Sequence, residues 1–255
     1  NTPSFATVFV GLTLILAELI LLPEANWTGY FYKTLEVVKK MNQNPTAIAS
    51  ASSSALATNK VIRNTYILLS MTLLFSAFTA GISMVLNLPP IMNLVAFGGT
   101  IVLLWFVLPR TANSTAGIFV VFGITGLLGL GLGPILNMYL QLQNGGQIIA
   151  TALGGTGVIF LGLSGYALTT RKDFSFLGGF LITGFLVVLL AAIANIFMAI
   201  PALSLAISGA VIMIMSGFIL YDTSRIVSGG ETNYILATVG LYLSIYNIFV
   251  SLLHI

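Results

Sequence analysis

Cysteine is absent from all 255 residues, and charge is nearly absent. Without cysteine there is no disulfide, no thiolate metal site and no cysteine nucleophile. Only 6% of the residues are charged, nine cationic and six anionic, and 58% are hydrophobic. A soluble domain keeps about a quarter of its residues charged, so these few cannot build an aqueous surface. One histidine, no run of acids and no metal-ligand spacing leave little for catalysis to work with. The composition excludes a soluble enzyme or a nucleic-acid binder. It requires a polytopic helical membrane protein, with the lipid bilayer as its first partner.

What is present in quantity is long apolar runs. Eight are long enough to cross a hydrocarbon core of about 30 Å. They lie at about 4–23, 65–87, 90–108, 116–140, 147–169, 176–199, 202–221 and 232–254. Short connections containing Pro, Gly or Asn punctuate the later ones, as in NLPP at 87–90 and SGG at 228–230. Three regions follow: an extra span with an aromatic and basic interfacial segment over 1–40, a flexible tail or linker over 41–64, and a seven-span domain over 65–255.

The cations decide orientation. Lys33, Lys39, Lys40, Lys60, Arg63, Arg110, Arg171, Lys172 and Arg225 all fall in alternate connections, and the intervening ones carry none. That places all nine on one side, which the positive-inside rule makes cytoplasmic, with the C-terminus opposite. Residues 1–23 lack a basic stretch ahead of their apolar run, so they are not read as a secretory signal.

Within the spans, GITGLLGLGLGP brings glycines together, and Gly129 with Gly133 forms a GxxxG pair. Close packing is one reading. The other is a hinge, with Gly131 to Pro134 unwinding the helix at its outer end. In the last span Gly240, Ser244, Asn247 and Ser251 recur at helical spacing as a small, polar stripe. Such a face points at other helices, so this span is expected near the centre. It would serve either hydrogen-bonded packing or the lining of a polar cavity.

The stretch ILYDTSRIVSGGETNY, residues 219–234, carries Asp222, Arg225 and Glu231 beside apolar helix. Hydropathy alone ends the span near Asp222, but Gly229-Gly230 reads as the true helix stop. The helix then runs about 12 Å further, and Asp222 lies inside the membrane with Arg225 one turn nearer water. Their i, i+3 spacing lets the two side chains meet. Three readings stay open for Asp222: a structural pair, a gate or ion contact, and an interfacial acid. Gly162-Leu163-Ser164-Gly165 matches a GxSG protease motif, but the topology puts Ser164 and His254 about 20 Å or more apart. That is too far for nucleophile and base.

These segments together resemble a known family. KVIRNTYILLS at 60–70, GLGLGPILN at 129–137, LTTRKDFSFLGG at 168–179, ANIF at 194–197 and GGETNYILATVGLYLSIYNIFVSLL at 229–253 are similar to the Bax inhibitor-1 family, and most to its bacterial YccA branch. The resemblance covers residues 41–255. For residues 1–40, a gene fusion, an engineered addition and a separate chain are the open readings. It implies a seven-helix bundle with the last helix central, in the bacterial inner membrane, and no cofactor. It also implies an acid on the sixth span, matched by Asp222, and often a second on the seventh, forming a proton-sensitive latch on calcium leakage. Here Ser244 stands at the second position and cannot titrate, so a paired-acid latch has no second carboxyl. Arg110 could reach the same mouth; anchoring its helix end is its other role. The resemblance further implies modulation of the membrane protease FtsH as a poor or competing substrate, gripped through residues 42–62. The alternative is a cation leak channel gated near Asp222, with calcium or protons as its partners.

Overall fold

The computed structural model describes residues 45–255, with side chains from Thr58 onward. The expected span at 4–23, the interfacial segment ending at residue 40, and Lys33, Lys39 and Lys40 lie outside the described residues. Among the described residues seven helices are long and apolar enough to cross a membrane. They are α1 (Pro45–Val85), α2 (Ile91–Thr111), α3 (Ala116–Leu140), α4 (Gly145–Thr170), α5 (Leu177–Met198), α6 (Pro201–Ser228) and α7 (Tyr234–His254).

Local chemistry sets most of the boundaries. Ile200 is extended and Pro201 opens α6 at a position where its missing N–H costs nothing. Gly229, at φ 76°, closes the same helix in the left-handed conformation. The stop therefore falls where the double glycine predicted, about two turns past the hydropathy boundary. Pro109 lacks the N–H that would bond the Trp105 carbonyl. Just ahead of it, α2 widens into a π-helical turn over Leu103–Val107, with Leu108 N–H reaching Leu103 O.

Two expectations are corrected. The stretch expected to be a flexible linker over 41–64 is helical from Pro45 on, because its many alanines favour a helix that the adjoining span already nucleates. Nor does α3 unwind at Gly131–Pro134. It runs unbroken with Pro134 inside it, since α1 supplies the missing donor: Ser83 Oγ donates to Leu130 O at 2.7 Å.

The last helix is the axis of the bundle. Of the best span window in α7, 89% is buried, against 56% or less in the other spans. It touches α1, α3, α4 and α6, while α2 packs on α3 and α5 on α6. Gly129 and Gly133 let α3 meet α1. A Cβ at either would fall within 3.0 Å of α1 atoms, backbone included. The two helices therefore pack closely at this pair.

The described cations gather at one end. Asn233 Nδ2 donates to Ala112 O at 2.9 Å, joining the connection after Arg110 to the one after Arg225. Phe174 N donates to Ser224 Oγ at 3.2 Å, bringing in the loop with Arg171 and Lys172. Thr58, beside Lys60, lies 3.4 Å from where a Gly229 Cβ would be. At the other end Asn137 Nδ2 donates to Met84 O at 3.0 Å, and His254 packs against Tyr139.

Candidate functional site

Asp222 lies seven residues before Gly229, about 10 Å up α6 from the basic end. Its carboxylate is turned toward α7, where Gly240 admits it: a Cβ there would stand 3.0 Å from Asp222 Oδ2. The small stripe on α7 is buried along its whole length, with Ser244 fully enclosed. Asn247 donates to its own helix at Leu243 O, 2.9 Å away, a packing arrangement. The stripe faces helices, and its first member is the one against the acid.

Arg225 departs from the spacing argument. Its guanidinium pairs with Glu231 at 3.5 Å and lies 5.5 Å from the Tyr221 ring centroid. The turn at Gly229 brings Glu231 back alongside the last turn of α6, so the acid beyond the helix end takes the cation that the i, i+3 rule offered to Asp222. Arg110 is exposed and donates to Phe106 O in its own helix. That contact holds its guanidinium against its own helix.

Three hydroxyl residues that sequence reasoning did not place together meet between α1, α4 and α6. Tyr66 on α1 hydrogen-bonds Ser164 on α4, and Thr223 on α6 lies 3.4 Å from each hydroxyl. Ser164, matched above to a protease motif, is therefore held in a hydroxyl cluster at the end opposite His254. Nearly three turns further along α1, Ser76 and the Tyr242 hydroxyl are 2.6 Å apart. Only the adjacency of Thr223 to Asp222 hinted at any of this in the sequence.

Asn233 is the other residue the sequence did not single out. Its Oδ1 caps α7 by accepting from Ile235 N at 2.9 Å and Leu236 N at 3.3 Å. Its Nδ2 reaches Ala112 O and Asn113 Oδ1, and its own N–H is taken by Glu231 Oε1 at 2.8 Å. Arg225, Glu231 and Asn233 form one chain of contacts from α6 to the α2–α3 connection. Asn233→Ala is expected to lower stability by about 1–2 kcal/mol, the loss of a cap and a tertiary bond. Asn233→Asp, which keeps the cap acceptor but not the donor, should recover about half of that. Thermal unfolding in detergent reads both.

Comparison with known proteins follows the same segments. A family model described as "Inhibitor of apoptosis-promoting Bax1" matches residues 58–255. The chain is 57% identical over 206 residues to "Modulator of FtsH protease YccA" of Escherichia coli strain K12, covering 80% of this chain and 92% of that protein. The same figures hold for "Inner membrane protein YccA" of Escherichia coli O6:H1. A membrane protein of Vibrio cholerae is 50% identical over 206 residues, or 81% of this chain and 92% of its own length.

Proposed function

The chain belongs to the Bax inhibitor-1 family, and from that premise we propose that it regulates a membrane-anchored protease of the FtsH type by engaging it as a poor or competing substrate. The observation that carries this reading is the 57% identity to a modulator of FtsH protease along 92% of that protein's length. Likeness of that extent includes both the bundle and the basic end, the surfaces a cytoplasmic protease domain would meet.

The fold supports the mechanism in two ways. A protease that pulls substrates out of the bilayer must dismantle whatever it grips. Here α7 is enclosed by its neighbours, so extracting it disrupts its contacts with α1, α3, α4 and α6. At the basic end, α1 continues past the span that starts at Thr58. Residues 45–57 add about 20 Å of helix there, a length of chain a protease could grip. The basic end is the cytoplasmic one by the positive-inside rule.

A second reading rests on the polar interior at that same end. Asp222 beside Gly240 is a membrane-embedded acid, and the next residue, Thr223, joins the Tyr66 and Ser164 hydroxyls. A cation leak gated there would need no second carboxylate. One pair of measurements separates the readings. Copurification with FtsH is expected to survive Asp222→Asn and to be lost on deleting residues 42–57. Calcium entry into liposomes abolished by Asp222→Asn, with copurification indifferent to the deletion, would overturn the regulator reading in favour of the channel.

A further inference from the structure

α1 and α4 flank α7, and among the described residues no backbone contact joins them. In the basic half of the bundle the Tyr66–Ser164 hydrogen bond closes the gap. Past Tyr66 a cavity of about 430 Å³ opens between the two helices, floored by α7 and backed by α3. This volume is in the range of small-molecule sites, roughly 300–1,000 Å³.

Four observations specify what would occupy it. The lining includes no charged residue. Three of its four hydroxyls are engaged within the protein: Ser76 with Tyr242 at 2.6 Å, and Thr156 donating to Ala152 O at 2.7 Å. A polar ligand would find few free partners. The cavity's α1 wall runs from Leu73 to Met84 and its α4 wall from Ile149 to Phe160, each about 16 Å of helix. That is about half of a 30 Å hydrocarbon core, and it is the half at the end where no cations gather. Finally, both walls carry a glycine that packs against nothing. A Cβ at Gly81 or Gly157 would meet no atom within 4 Å, unlike Gly129 and Gly133 in the α1–α3 contact. A glycine weakens a helix, so at these two positions its effect is to keep the crevice open.

From this geometry we infer that the α1–α4 crevice is a binding site for one acyl chain of a phospholipid, entering sideways from the leaflet at the uncharged end. The chain lies along α7 between the two glycines, its headgroup remaining at the membrane surface. Tyr242 and Tyr246, stacked at 6.3 Å on the floor, form the deep wall against which the chain packs.

The test uses the full chain in liposomes containing phosphatidylethanolamine with a photoactivatable diazirine in its acyl chain. After illumination, labelled peptides are mapped by mass spectrometry. Labelling of residues 73–84 and 149–160 is expected to exceed, several-fold, that of the lipid-facing surface of α5 around Leu190 and Phe197. Excess unlabelled lipid should compete the crevice label away. Gly81→Leu combined with Gly157→Leu should reduce it to the α5 level and leave α5 unchanged. Should the double variant fail to accumulate, Gly157→Leu alone serves, with competition as the second readout. Crevice labelling equal to that of α5, labelling that no lipid excess displaces, or photocrosslinks from position 157 to a polypeptide in place of lipid would each overturn the inference.

Discussion

Gly129→Ala is expected to cost about 3 kcal/mol or more, at the upper end of overpacking effects, and to deplete the folded protein from membranes. Helix propensity alone predicts the opposite sign, because alanine is favoured over glycine by about 1 kcal/mol. The reversal comes from α1. The added methyl would fall within 3.0 Å of Thr79 Oγ1 and of the Ser76 carbonyl oxygen, with the Ser76 carbonyl carbon at 3.0 Å. A flexible side-chain tip can swing aside, but a helix carbonyl cannot move without its whole turn. The α1–α3 contact is among the most extensive in the bundle, so separating these helices also strips support from α7. Gly98→Ala is the control. That glycine is exposed on α2 with nothing within 4 Å of its Cβ position, and the substitution should be neutral or slightly stabilising. Unfolding in mixed detergent, together with protein yield in membranes, reads both variants. Equal stability of the Gly129 and Gly98 variants would remove close packing as the role of the pair.

Ser83→Ala should destabilise by about 2 kcal/mol, and the effect should nearly vanish in a Pro134→Ala background. Pro134 has no N–H, so the Leu130 carbonyl one turn earlier loses its intrahelical donor. Water cannot replace that donor in the hydrocarbon region. The Ser83 hydroxyl does, at 2.7 Å, and Gly133 allows α1 close enough for it to reach. Removing the serine leaves a carbonyl with no partner, a loss of about 1–3 kcal/mol. Restoring the N–H at position 134 supplies the intrahelical bond and makes the serine dispensable. The four proteins form a double-mutant cycle. A cycle that closes with no interaction energy would show that the hydroxyl does not substitute for the missing N–H.

The two predictions differ in how visible they are in the sequence. GLGLGP announces that something approaches α3 closely, but not which helix, nor that a serine 47 positions away from Leu130 is the substitute donor. The hinge reading of Gly131–Pro134 was reasonable for an isolated helix and fails only because α1 is there. Residues 45–64 show a related gap. Small polar residues suit a linker, yet alanine-rich sequence attached to a span propagates as helix. The small stripe on α7 did declare its burial, because a polar face on an apolar helix has nowhere else to go. Asp222 could be placed at its depth from the Gly229 stop. Its contact with Gly240, and the choice of Glu231 as partner for Arg225, depended on how the chain turns after α6.

Solvation is a property each segment has alone. Hydrocarbon rejects charge and unpaired backbone, so the positions of the seven described spans, the helix stop at Gly229 and the one-ended grouping of the described cations were determined by sequence alone. Partnership needs the rotation of each helix about its own axis and the identity of its neighbours. Those are decided by packing among residues about 50 to 160 positions apart, as with Ser83 and Leu130 or Tyr66 and Thr223. For that reason the cluster of Tyr66, Ser164 and Thr223 hydroxyls, the Asn233 tie and the crevice between α1 and α4 belong to the tertiary structure.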